Sequence, residues 1–309
     1  MLRSLLHRRE STILAALIIL VAICATEPNF RTGANLYQVS RQISYIAIVA
    51  LGELFVILHG GIDLSVGSIM ALAGMAAGYA MKIGVPPPAA VALGIGGGLV
   101  MGAINGVLIS FVRLAPFIAT LGMLSVASGL VLGLSKGWPI TEIPASFAPL
   151  AQGAFLELPI SVWIMLALAV TAHVVLNHTA FGRRTYALGG NEQATFLSGI
   201  DVRRIKLGLY LISAGCASLV GIIWVAKFNS AQVEPGKGWE LNAIAAAVIG
   251  GTSLSGGSGS VLGVVIGASI MAVIQNGLVL LHISTYWHNA ITGVVIILAG
   301  VLDRVRQRR

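Results

Sequence analysis

Apolar residues fall into ten runs, at about residues 11–27, 43–59, 64–82, 88–112, 115–135, 158–177, 207–227, 241–254, 258–281 and 285–302. Most have the roughly 17 to 25 residues a helix needs to cross the hydrocarbon core of a bilayer. The pattern predicts an all-α, polytopic transmembrane bundle of about ten spans, forming one domain over residues 1–309. Two connections are long. The stretch 136–157, with Pro139, Pro144, Pro149, Glu142 and Glu157, reads as an exposed loop on the outer side. The stretch 178–206 carries five basic and two acidic residues and reads as a cytoplasmic loop with a short helix at its centre.

Composition sharpens the membrane reading. Of 309 residues 57% are hydrophobic and 10% are charged, whereas soluble domains carry about 25% charged residues. The net charge of +8 does not point to nucleic acid, because the basic residues sit in the short connections. With the N-terminus inside and ten crossings, Arg3, Arg8, Arg9, Arg113, Arg183, Arg184, Arg203, Arg204, Lys206, Arg304, Arg306, Arg308 and Arg309 fall on the inner side. Arg31, Arg41, Lys82, Lys136, Lys227 and Lys237 fall outside. That bias supports an N-in, C-in chain. The first run lacks a small-x-small cleavage motif and is expected to stay as a span. Cys24 and Cys216 lie in separate apolar runs without metal or disulfide spacing and read as small core residues.

Two segments share the pattern GGxxLSxGS, Gly60 to Ser68 and Gly250 to Ser258, with six of nine positions identical. Each interrupts apolar sequence with glycines and hydroxyls, which weakens a helix and leaves backbone groups that lipid cannot satisfy. Paired breaks of this kind in two related halves point to a transport path. Asp63 is expected to cap the helix that follows, with Ser65 and Ser68 in its first turn. Glu53 is the second carboxylate inside an apolar run, and it needs a partner. Gly94, Gly98, Gly102 and Gly106, and likewise Gly259, Gly263 and Gly267, recur every four residues and predict close helix packing. Asn105, Gln275 and Asn276 beside those stripes serve either as interhelical glue or as contacts for a hydroxylated solute. In the inner loop Asn191 is placed to cap a short helix over about Glu192 to Ser198, with Gly199 as its stop. Such a helix reads as a docking knob for another protein or as an interfacial helix lying on lipid.

The chain has no phosphate-binding Gly-Lys-Ser/Thr loop and no His-Glu-x-x-His motif, and its six histidines are scattered. It is therefore read as a non-enzyme that binds no cofactor itself.

Gly60-Gly61-Ile62-Asp63-Leu64-Ser65-Val66-Gly67, Asn105-Gly106, Pro116-Phe117-Ile118-Ala119-Thr120-Leu121-Gly122, Thr179 to Gly190-Asn191 and Ile249 to Gly259 together resemble permeases of ribose-type ATP-binding cassette importers over nearly the whole chain. The resemblance implies a permease, paired with an identical copy or a paralogue, in a bacterial inner membrane. Its other implied partners are a cytoplasmic ATPase, which holds the ATP and Mg, and a periplasmic sugar-binding protein. It makes Asn191, Glu192, Ala194, Phe196, Leu197, Gly199 and Ile200 the coupling residues. The candidate pathway residues become Glu53, Asp63, Ser65, Asn105, Thr120, Gln275 and Asn276. His59 and Met123 depart from the pattern, at positions where such chains carry a small or hydroxyl residue and a Thr. A stand-alone ion-coupled carrier and a permease for branched-chain amino acids are the alternatives.

Overall fold

A computed structural model describes residues 2–307, with only the backbone for residues 2–9, 285, 289, 298, 299 and 302–307. Arg308, Arg309 and the side chains of Arg3, Arg8, Arg9, Arg304 and Arg306, all used in the inner charge count, lie outside the described residues. The helices are α1 (Leu2–Cys24), α2 (Gly33–Leu58), α3 (Val66–Lys82), α4 (Pro87–Ser110), α5 (Pro116–Ser135), α6 (Pro149–Gln152), α7 (Ile160–His178), α8 (Ala180–Gly190), α9 (Glu192–Leu197), α10 (Val202–Phe228), α11 (Trp239–Ile249), α12 (Val261–Leu280) and α13 (His288–Gln307).

Each of the ten apolar runs holds one helix, but not every helix has both the length and the apolar composition of a full span. Among the described residues six helices, α2, α4, α5, α7, α10 and α12, are long and apolar enough to cross a membrane. The 11 residues of α11 reach about 16 Å, roughly half the hydrocarbon core. Glycine fixes both its ends: Gly238 is left-handed at the start, and Gly250-Gly251 stop it.

The centre of the bundle is α2, 89% buried over its most apolar window, with α10 at 72%; α5 and α7 reach only 28% and turn Leu and Val side chains outward. The glycine stripes lie at helix contacts. A Cβ on Gly98 or Gly102 would collide with Ser218 or Ala214 of α10, and one on Gly106 would come within 2.9 Å of the Leu207 Cα. A Cβ on Gly94 would stand 2.5 Å from the Ala73 carbonyl oxygen of α3. Gly263 and Gly267 press on the carbonyls of Gly250 and Ala246, and Gly259 on Thr252. In lipid, where apolar side chains gain little by leaving the solvent, such close backbone contact is a main source of attraction.

The loop 136–157 is mostly exposed, as expected, but is anchored at a few points. Ile143, Phe147 and Ala151 are buried, and the loop is tied down by paired backbone hydrogen bonds between Ile140 and Ala231 at 3.0 and 2.8 Å. Lys82 pairs with Glu142 at 3.0 Å. A two-residue hairpin, β1 (Ala154–Phe155) with β2 (Leu158–Pro159), closes it.

Candidate functional site

The first glycine break folds back so that Asp63 lies beside α2. Its backbone N–H donates to Glu53 Oε1 at 3.0 Å, which gives the lone carboxylate of α2 a partner ten residues along the chain. Asp63 does not cap α3 as expected: Ser65 occupies the N-cap position, and Ser68 donates to the Ser65 carbonyl at 2.8 Å. Asp63 instead accepts from the N–H and hydroxyl of Ser65 at 2.9 and 2.5 Å, closing a turn ahead of the helix. Asn105 on α4 donates to the Ser65 hydroxyl at 2.9 Å, Ser213 on α10 donates to Asp63 Oδ2 at 2.9 Å, and Thr120 on α5 donates to the Ile62 carbonyl at 3.3 Å. Five predicted residues, Glu53, Asp63, Ser65, Asn105 and Thr120, thus meet in one network drawn from α2, the first break, α4 and α5, all fully buried.

Gln275 and Asn276 belong elsewhere. Gln275 bridges Gln42 at 2.6 Å and Asn242 at 2.8 Å, and Asn276 forms a reciprocal amide pair with Asn35 at 2.8 and 3.1 Å. These amides join α12 to α2 and α11. Ser213 and Tyr210 were not legible as site residues, although a hydroxyl pair three residues apart in an apolar span was their signal. Tyr210 stacks edge-on against His59, ring centroids 5.7 Å apart. Buried side-chain atoms of the network region that find no protein partner include Glu53 Oε2, Asn105 Oδ1, His59 Nε2 and Tyr210 Oη. Such atoms are costly in a packed interior and mark this region as more polar than packing alone requires.

The two glycine breaks end their helices identically. Gly60 and Gly251 both take φ of +85°, and in each case two amides return to the last turn: Gly60 to Ile57 and Gly61 to Val56, Gly251 to Val248 and Thr252 to Ala247. The sequence match aligns Gly60 with Gly250, so the structural equivalence is offset by one residue. After the cap the copies part. The second runs on through Gly256-Gly257 to α12, and the Gly257 N–H donates to the Leu58 carbonyl at 2.9 Å.

The loop 178–206 meets both breaks at that carbonyl. A Cβ on Gly189, near the end of α8, would overlap the Leu58 oxygen and stand 2.5 Å from the Gly257 nitrogen. Tyr186 Oη donates to the Gly259 carbonyl at 2.9 Å. Directly after α8, Asn191 caps α9 by accepting from the Ala194 N–H at 2.8 Å, and Gly199 turns the chain at φ +78°. Glu192 pairs with Lys206 at 2.6 Å. Phe196 and Leu197 stand 61% and 76% exposed, an unusual display of apolar surface on a polar loop, with Ala194 and Ile200 nearby.

Among the described residues no group of three or more His, Cys, Asp or Glu is placed to hold a metal ion, and Cys24 and Cys216 are free.

Comparison with known proteins gives the arrangement a family. Residues 35–300 match the family described as branched-chain amino acid transport system / permease component. The ribose import permease of Escherichia coli strain K12 is 45% identical over 303 residues, covering 96% of this chain and 94% of its own. The D-allose transport permease of the same strain is 38% identical, covering 94% of this chain and 89% of its own. The L-arabinose permease is 33% identical over the same share of this chain, again with 89% of its own covered. No solved structure matches the chain. The chain belongs to this permease family of ATP-binding cassette importers: it is a multi-pass membrane transport subunit whose ATP hydrolysis takes place on a separate protein.

Proposed function

We propose that this chain forms the membrane passage for a monosaccharide in a bacterial inner-membrane importer, working with a second permease copy or paralogue, a cytoplasmic ATPase and a periplasmic sugar-binding protein. The observation that carries the reading is 45% identity to a ribose permease across almost the full length of both chains. Relatives named for allose and arabinose extend the same substrate class.

In this reading the chain crosses the membrane ten times with both ends inside, α11 completing its crossing with the inward-folded segment 229–238. The contacts support that arrangement by sorting into two sets. Lys82–Glu142 and Ile140–Ala231 join connections assigned to the outer side, while Arg203 over the Phe111 ring and Gly257–Leu58 join connections assigned to the inner side. The helix α9 docks on the ATPase through Phe196 and Leu197. Gly189 passes its displacement to the two breaks, and the network around Asp63 forms part of the path.

The test is reconstitution of the chain with its ATPase and binding protein in proteoliposomes. Uptake of labelled D-ribose, D-allose or L-arabinose that needs ATP and stops with vanadate is expected. Uptake by the chain alone that collapses with an ionophore would establish an ion-coupled carrier, and uptake of leucine in place of sugars would overturn the substrate class.

A further inference from the structure

Beside the network, between α3, α5 and the start of α11, lies a cavity of about 220 Å³. Its floor is the contact of Gly67 with Gly236, where a Cβ on either residue would collide with the other's backbone. A Cβ on Gly67 would also stand 2.7 Å from Glu240 Oε2, so the absence of a side chain there leaves the carboxylate uncovered. Glu240 stands in the first turn of α11. None of the four ion pairs among the described residues includes it. The walls combine apolar Leu124 and Ala71 with the hydroxyls of Ser68 and Ser128, and the exposed pair Glu234–Lys237 sits at the rim.

Apolar walls with a few convergent polar groups are the usual makeup of small-molecule sites. An ionised carboxylate is an acceptor with room for two donors, which suits adjacent hydroxyls of a polyol. Two carboxylates in the lining, set against the single Lys237, disfavour an anionic solute. Hydrogen bonds tie its wall to the network, since Ser68 donates to the Ser65 carbonyl and Ser65 donates to Asp63. We propose that this cavity is a sugar-binding stop within the permease, with Glu240 accepting a pair of sugar hydroxyls and Ser128 facing the bound ring. The site rests on the reading of the chain as a sugar permease and adds to it a place where the solute halts.

The experiment uses the full complex with Cys24→Ser and Cys216→Ser, into which Ser128→Cys or, as a control on the outward face of α5, Ser125→Cys is introduced. Maleimide labelling of S128C is expected to slow about tenfold with saturating D-ribose, D-allose or L-arabinose, whichever the unmodified complex imports, while S125C labels at one rate throughout. Glu240→Gln is expected to lower maximal uptake about tenfold and to leave the half-saturating sugar concentration, set by the delivering protein, in place. Equal labelling of S128C with and without sugar, or wild-type uptake by E240Q, overturns the site. If E240Q does not assemble, the labelling result alone decides. Failure of the sugar-importer reading is separate and visible in the unmodified complex, as no ATP-driven uptake of any of the three sugars; the proposed site falls with it.

Discussion

Gly189 packs against the carbonyl of Leu58 so closely that no side chain fits between them. Gly190, the next residue, has open space around the position of a Cβ. The pair therefore gives an internally controlled prediction. Gly189→Ala forces α8 off the helix end and is expected to cost about 1–3 kcal/mol and to abolish ATP-driven uptake. Gly190→Ala should transport normally. Thermal unfolding in detergent and proteoliposome uptake read the difference, and equal behaviour of the two variants would remove the role given to the contact.

A second prediction concerns Asp63 and Ser213, joined across 150 residues of sequence at 2.9 Å. Ser213→Ala leaves a buried carboxylate oxygen short of a donor and is expected to destabilise by about 1–3 kcal/mol. In a double-mutant cycle with Asp63→Ala the two costs should fall short of adding, with a coupling of about 0.5–3 kcal/mol. Additive costs would show that the hydrogen bond does not hold the break in place.

The exposed apolar tip of α9 is open to a direct assay. Phe196→Asp or Leu197→Asp removes exposed apolar surface from the proposed docking face. The variants should insert and fold as wild type but co-purify little or no ATPase. Full co-purification from both would return α9 to the role of an interfacial helix.

On α4, Gly98 faces Ser218 whereas Gly97 has nothing within 4 Å of its Cβ position. Gly98→Leu is expected to separate α4 from α10 and lower the unfolding temperature markedly, and Gly97→Leu to be tolerated. Matching unfolding temperatures would mean that the stripe is not the contact that holds the pair together.

Helix positions were largely legible in the sequence, because a stretch of apolar residues bounded by Pro or Gly reports its own local geometry. Glu53, Asp63, Ser65, Asn105 and Thr120 were legible as candidates for a related reason: a polar group in an apolar run needs a partner. What the runs could not say is which partner. Ser213 reaches Asp63 only through the crossing of α10 with α2 and α3, and no periodicity encodes that. Gln275 and Asn276 looked equivalent to Asn105, yet their amides meet other amides on α2 and α11. The register of the repeat was misread by one residue because identical glycines do not reveal which of them takes the positive φ. The short α11 also escaped, since hydropathy counts apolar residues and does not see where glycine ends the hydrogen-bonded ladder.

The amide bridges of α12 give α2 a fixed end. Asn35 and Gln42 are clamped by Asn276 and Gln275, while Leu58 lies about 24 Å further along the same helix, under the elbow of α8 and α9. In the proposed coupling, a push on that elbow therefore reaches α2 at the end away from its amide bridges, about one and a half turns beyond Glu53.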